Sequence, residues 1–274
     1  MSTKDCSIEF FRISQAWQQH FEANQNSAEE LPWDDACRLT RSERRAIEKS
    51  IQQFQLGEGA QGRRLLARGR AYARATGDTL FPEALTLFIR EEQRHSAQLL
   101  RFMRLEGIPA VEKHWVDGVF RWVRVLAGLE LELRVLVTAE VIAVPYYTAL
   151  GRATQSPLLS SLSDRILQDE AGHLRFQASM LSRLEARRPS FVRRLIWEAH
   201  RWFLVGTCCV VWLEHRSVFI AAGRSFAGLL RDAVAEFSGL ERSARSHCAE
   251  MKPNGFARRF LPTAAARPDE RASQ

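Results

Sequence analysis

Apolar residues recur every three or four positions along almost the whole chain, which is the spacing of helices that bury one face. We find no alternating run bounded by turn residues that would predict a β-strand. The pattern therefore predicts a nearly all-α protein. The expected helices cover residues 8–23, 41–76, 82–105, 116–152, 157–187 and 191–222, followed by a short helix between Gly223 and Gly239.

Turn and breaker residues divide these helices into four predicted regions. The motifs TGDTLFP, EGIP and RRPS mark the main breaks. An N-terminal extension covers residues 1–40, a four-helix bundle covers 41–187, and further helices that pack on the bundle cover 188–252. A tail rich in Arg, Ala and Pro, residues 253–274, is expected to be loose.

The composition is that of a soluble globular protein, with 274 residues of which 46% are hydrophobic and 26% are charged. The longest uncharged stretch in the C-terminal half, residues 202–213, has twelve residues, whereas a membrane span needs about twenty. No membrane partner is therefore predicted. The first residues lack the basic start and apolar run of a signal peptide, so a cytoplasmic location is expected. The five cysteines contain no CxxC pair, which argues against a disulfide framework.

The net charge of +7 raises the question of a nucleic-acid partner. Only four of the 39 basic residues are lysines, and the arginine pairs at 44–45, 63–64 and 187–188 are scattered along helical patterns. Such scattered pairs are typical of solvated helix faces and do not form a basic stripe. No nucleic-acid binding is predicted.

Two ExxH pairs carry the candidate chemistry. Glu92 and His95 lie in EEQRH, and Glu170 and His173 lie in DEAGH, so each pair projects from one face of its helix. The flanking positions on both faces are apolar, and no Lys or Arg stands among them. A buried carboxylate needs a proton, an ionic partner or a metal, so both faces predict a metal site.

Two further glutamates complete a matched set. Glu58 continues an apolar stripe and precedes Glu92 by 34 residues, while Glu140 precedes Glu170 by 30. Each ExxH helix thus follows a helix with one candidate buried glutamate. Four carboxylates and two imidazoles on four helices form a donor set that holds two iron or manganese ions in helical bundles. Glu130 and Glu132 are alternatives to Glu140 as the metal ligand on the third of these helices.

Over residues 41–187 the chain resembles the ferritin-like di-iron carboxylate proteins. EEQRH is similar to the [DE]ExRH signature of bacterial multicomponent monooxygenase hydroxylases, whereas DEAGH keeps DExxH and has Gly172 at the arginine position. The resemblance implies an all-α, ferritin-like four-helix bundle with additional N- and C-terminal helices. It implies six metal ligands, which are Glu58, Glu92, His95, Glu140, Glu170 and His173. It also suggests that Glu91, Asp169 and Arg94 orient the histidines.

Two positions depart from particular branches of that family. Leu99 stands where tyrosine-radical ribonucleotide reductase subunits carry a tyrosine, and Ile166 stands where three-histidine N-oxygenases carry an added ligand. Tyr147 follows Glu140 by two turns, and the pattern leaves open whether it faces the metals or packs in the core. His200 and His215 lack ligand spacing, so ordinary polar roles are expected.

The expected function is that of an oxidoreductase in which a reduced dimetal centre, of two irons or of iron and manganese, activates dioxygen and oxidises a small organic substrate. Electrons would come from an external donor, because the chain has no dinucleotide fingerprint or Cys-rich cluster motif. No catalytic residue is predicted beyond the metal centre. The alternatives are an iron storage or detoxification protein and a helical module with a structural metal. Residues 191–222 are expected to pack on the bundle or on a second copy in a homodimer.

Overall fold

The computed structural model describes residues 3–26, 31–34, 38–59, 62–112, 128–186 and 188–250. Every regular element within these ranges is an α-helix, which confirms the all-α prediction. The helices are α1 (Thr3–Asn26), α2 (Arg41–Glu58), α3 (Arg63–Thr76), α4 (Phe81–Leu105), α5 (Leu129–Leu150), α6 (Pro157–Glu185), α7 (Ser190–Ala221) and α8 (Phe226–Glu250). The predicted tail, residues 253–274, and the first twelve residues of the helix predicted over 116–152 lie outside the described residues.

The prediction of one helix over residues 41–76 is wrong, because α2 ends at Glu58 and α3 begins at Arg63. Gly62, which precedes α3, has a φ of 58°, in the left-handed region that ends a helix. A Cβ atom there would lie 2.4 Å from the side chain of Ile89, so only glycine fits. A glycine inside a helix lowers the stability of that helix by only about 1 kcal/mol relative to alanine. The glycines in this stretch therefore did not predict the break between α2 and α3.

The last described helix is longer than predicted. Gly239 was expected to end it, but α8 continues to Glu250. Its buried stripe includes Phe237 before the glycine and Leu240 and Ala244 after it. Packing on the core therefore outweighs the weak helix propensity of one glycine.

Local capping explains where two bundle helices begin. The Thr40 hydroxyl accepts the Glu43 backbone N–H while the Glu43 carboxylate accepts the Thr40 N–H, which is a capping box for α2. Ser156 caps α6 in the same way from the side chain, and Pro157 occupies the first helical position. These caps fix the starts of two of the four helices that carry the predicted site.

One continuous core joins all these helices. Helix α4 packs on α2 and α6, α6 packs on α5, and the Ser50 hydroxyl on α2 donates to the Tyr146 hydroxyl on α5 across 3.0 Å. Helix α1 lies on α4, with Trp17 and Phe21 inside the core. Helices α7 and α8 pack on the remaining side, against α2, α5 and α6. The four site-bearing helices are thus enclosed from both sides.

Among the described helices, two are long and apolar enough to cross a membrane by length and composition, α5 and α7. In α5, 78% of the most apolar stretch is buried inside the protein, as in the core helix of a soluble protein. In α7 the buried share is 39%, so one face of this helix is open. Two such helices are weak evidence for a membrane protein, and the arrangement is compatible with a soluble one.

Candidate metal centre

Six side chains from four helices meet in the interior of the bundle. They are Glu58 at the end of α2, Glu92 and His95 on α4, Glu140 on α5, and Glu170 and His173 on α6. They form two groups, and in each group the potential donor atoms lie within 4.8 Å of one another. Glu92 and Glu170 belong to both groups. Glu58 and His95 complete one, and Glu140 and His173 complete the other.

Several inward-facing atoms of this six-residue cluster have no hydrogen-bond partner among the described residues. They are Nδ1 of both histidines, one carboxylate oxygen of Glu92 and both oxygens of Glu170. Nδ1 of His173 lies 2.9 Å from Glu92 Oε1 and 3.4 Å from Glu170 Oε2, without hydrogen-bond geometry. Donor atoms that share one ion lie about 3 Å apart, and buried unpartnered polar atoms are costly. The donor set therefore fits a metal.

Each histidine is held by an acidic residue from the opposite helix. Nε2 of His95 on α4 lies 3.1 Å from Oδ2 of Asp169 on α6. Nε2 of His173 on α6 lies 3.0 Å from Oε2 of Glu91 on α4. Because an ionised carboxylate can only accept, we assign the ring proton to Nε2 in both histidines. The lone pair of each Nδ1 is then directed into the cluster.

One guanidinium joins the two acidic partners. Arg94 donates to Glu91 across 3.1 Å and to Asp169 across 2.9 Å, and Arg165 lies 3.6 Å from Asp169. Burial opposes ionisation of Asp169, but the hydrogen bond and charge of His95 and the two arginines lower its pKa to about 2. Burial likewise opposes ionisation of Glu91, but His173 and Arg94 lower its pKa. Glu91, Asp169 and Arg94 thus make the contacts that the resemblance implied.

The inner carboxylates repel one another in the absence of a cation. Burial and the charge of Glu92 raise the pKa of Glu58 well above its usual range. Burial and the charge of Glu140 raise the pKa of Glu170 well above its usual range and also raise that of Glu92. Burial acts in the same direction on Glu140, yet contacts with Glu170 and His173 lower its pKa. A divalent cation would remove this repulsion.

Two neutral side chains position Glu58 and Glu140, the glutamates that belong to only one donor group each. The Tyr147 hydroxyl donates to Glu58 Oε1 across 2.6 Å, and the Gln177 amide donates to Glu140 Oε1 across 2.9 Å. The first contact answers the open question about Tyr147, which faces the cluster. Gln177 was missed by the sequence analysis, although it lies four residues after His173 on the same face of α6 and would have extended that stripe.

Helix α1 occupies the space beside Gly172, the position where the family signature has an arginine. A Cβ atom on Gly172 would lie 2.8 Å from Nε2 of His20, so a side chain at this position would require the His20 ring to move. Burial lowers the pKa of His20, which favours the neutral ring. The sequence analysis missed His20, because nothing along the chain links it to DEAGH.

The competing candidates lie away from the cluster. Glu132 pairs with Arg68 across 2.8 Å, and Glu130 pairs with Arg134 and Arg188. Glu140 is therefore the glutamate that α5 contributes to the cluster. His200 contacts Thr138 and Arg134, and His215 contacts Ser50, which are the ordinary polar roles expected for these two histidines.

Comparison with known proteins gives no match, since no protein-family model fits the chain and no curated protein or solved structure resembles it significantly. In the described part of the chain, a buried set of glutamates and histidines on an all-helical scaffold could hold a metal.

We expect the Asp169→Asn substitution to weaken metal binding by about tenfold to 100-fold. An asparagine amide accepts less strongly from His95 and cannot balance Arg94, and loss of such a partner commonly costs this much affinity. Isothermal titration with Mn²⁺ measures the effect. Asp164→Asn is the matched control, because Asp164 is exposed on the same helix. Equal affinities of the two variants would contradict the role of Asp169.

Proposed function

We propose that the protein is a ferritin-like di-iron carboxylate oxidoreductase that uses dioxygen to oxidise a small organic molecule. The observation that carries the proposal is the pair of overlapping donor groups, which share Glu92 and Glu170 and contain unpartnered atoms directed inward. A carboxylate that belongs to two groups is suited to bridge two ions. The order of the donors along α2, α4, α5 and α6 is that of ferritin-like di-iron bundles.

The chemistry of the donors supports iron or manganese. Four carboxylates balance the charge of two divalent ions, and neutral imidazoles add none. Oxygen-rich sites with two nitrogen donors favour these metals over the thiolate sites that zinc prefers. Within the described residues no cysteine belongs to the cluster.

The residues around the cluster have definable tasks. Asp169 and Glu91 hold the ring protons on Nε2, so that Nδ1 of each histidine stays free to ligate. Tyr147 remains a neutral donor to Glu58, because burial and the charge of Glu58 raise its pKa well above the usual range. A reduced pair of ions held by the six residues would supply two of the four electrons that full reduction of dioxygen requires. The organic substrate would supply the other two, and the external donor would replace the two taken from the ions.

The enclosure of the cluster favours an enzyme over a storage protein. The ring of Phe88 lies 4.7 Å from that of His173, and the ring of Phe21 on α1 lies 6.2 Å from it. A storage site has to pass ions onward, whereas an apolar enclosure retains them and excludes water from the reacting atoms. Helix α1 contributes to this enclosure through Phe21.

The test is aerobic oxidation of protein loaded with Fe²⁺ under anaerobic conditions. We expect about two irons per chain, oxygen consumption by the reduced protein, and repetition of the cycle after re-reduction without further iron uptake. Glu92→Gln should abolish the oxygen consumption, because Glu92 belongs to both donor groups. The matched control is Glu83→Gln, an exposed glutamate on the same helix.

A storage protein would behave differently in the same experiment. It would accumulate hundreds of irons on repeated aerobic loading and assemble into a hollow multimer. That outcome would contradict the oxidoreductase proposal while leaving the metal site intact. Stable iron binding without oxygen consumption would instead favour a structural metal.

A further inference from the structure

Helix α7 has two apolar faces on opposite sides. One face is buried in its own protein and includes Trp197, Leu204 and Val218. The opposite face carries large apolar side chains that are 37–73% exposed, which are Phe191, Leu195, Trp202, Phe203, Leu213 and Ile220. Single exposed apolar residues are common, but a continuous row along 32 residues marks an interaction surface.

This exposed apolar face of α7, called the open face below, is arranged regularly around its midpoint. Successive residues of an α-helix are rotated by about 100° around its axis. Viewed along α7, no charged residue of this helix points within about 60° of the direction in which Gly206 points. Gly206 is exposed, stands near the middle of Ser190–Ala221, and has no atom within 4 Å of the place where a Cβ would be. Another helix can therefore approach closest at the centre of α7.

We infer that this face binds the same face of a second copy of the chain, with the two α7 helices antiparallel and Gly206 at a two-fold axis. This inference is independent of the proposed function. Two-fold contacts are self-complementary, so a residue a given distance before the axis meets the residue at the same distance after it. The open face of α7 can be examined for that property.

At three levels of the open face, a large side chain of one copy would meet a small side chain of the other. Ala199 and Leu213 each lie seven residues from Gly206, so leucine of one copy is level with alanine of the other. Leu195 and Ser217 each lie eleven residues from it, and leucine is again level with a small residue. Phe191 and Ala221, fifteen residues away on either side, continue the pattern. Pairing of large with small side chains allows two helices to interdigitate.

Charges along one edge of the face are also complementary. Glu198 and Arg216 both point about 80° to the same side of Gly206, one before the midpoint and one after it. In the antiparallel pair, Glu198 of each copy lies beside Arg216 of the other.

The dimensions suit a protein partner better than lipid. A helix of 32 residues is about 48 Å long, and stable interfaces bury about 800 Å² on each partner. In lipid, Glu198 and Arg216 would have to sit beside the apolar face without a partner from a second copy. Because α7 also buries its other side on its own bundle, it does not present a full circumference to lipid.

The first experiment measures the mass of the full chain by sedimentation velocity at about 1–50 μM. We expect a dimer of about twice 31.3 kDa. Gly206→Lys should weaken dimerisation by at least about 100-fold, because two lysines would meet at the axis. Lysine is a better helix former than glycine, so the variant should keep its fold. Leu131→Lys, at a side chain 40% exposed on α5, is the control and should remain dimeric.

The second experiment tests the antiparallel register. Glu198→Arg and Arg216→Glu should each weaken dimerisation by about fivefold to tenfold, and the double variant should restore it. A monomeric native chain at 50 μM, an unchanged dimer in Gly206→Lys, or additive loss in the double variant would overturn the inference. Co-flotation of the native chain with vesicles of phosphatidylcholine and phosphatidylglycerol, with no dimer in solution, would show that lipid covers the face instead.

Discussion

Replacing both His95 and His173 by alanine is expected to reduce the metal content from about two ions per chain to almost none. Each histidine completes one of the two donor groups, and its removal leaves carboxylates that prefer to hold protons. Metal analysis of anaerobically prepared protein measures the loss. The helical far-UV signal should be mostly retained, because the continuous apolar core that joins the helices is left in place.

The matched control for this variant is Gln93→Ala/Gln168→Ala. Both glutamines are exposed, and they lie on the same two helices as the histidines. This control should keep two ions. Full metal content in the histidine double variant would show that the six-residue cluster is not the site.

Glu170→Gln is expected to stabilise the metal-free protein and to abolish stabilisation by metal. The pKa of Glu170 is raised well above its ordinary value of 4.5, because the carboxylate is buried beside Glu140. At higher pH the buried carboxyl has to ionise or to hold a proton that the unfolded chain releases, and both weaken the metal-free fold. We therefore expect the metal-free variant to melt at a higher temperature than the native chain at pH 7.5.

The gain in stability from Glu170→Gln should depend on pH. Below about pH 4.5 the carboxyl is protonated in both the folded and the unfolded chain, so the gain should shrink toward zero there. Mn²⁺ should raise the melting temperature of the native chain but not of Glu170→Gln, since Glu170 belongs to both donor groups. Glu83→Gln should behave like the native chain. A destabilised metal-free Glu170→Gln protein would contradict the electrostatic argument.

The parts of the site that could be predicted from the sequence depend on geometry within one helix. The spacing of Glu92 and His95 places both on one face of α4 whatever surrounds them. An apolar flank then predicts burial, and a buried carboxylate predicts a compensating partner. The same reasoning located Glu170 and His173, and the matched spacing located Glu58 and Glu140.

The parts that could not be predicted depend on distances between helices. Glu91 lies four residues before His95, so the sequence alone favours contact within α4, yet Glu91 holds His173 on α6. The closeness of His20 to Gly172 likewise depends on how α1 packs. The start of a separate helix α3 involves the left-handed backbone of Gly62 and its close approach to Ile89, which no periodic pattern reveals.

The ionised groups around the cluster balance one another, because Glu91 and Asp169 are opposed by Arg94 and Arg165. The negative charge of the four glutamates in the cluster is therefore not balanced by these arginines. It has to be neutralised either by protons or by cations. In the metal-free state protons serve, partly on His173, whose pKa rises well above its usual range because Glu92 and Glu170 outweigh burial. A divalent ion that bound to these residues would have to displace the bound protons. Uptake of metal should therefore release protons into solution, and acid should release the metal again.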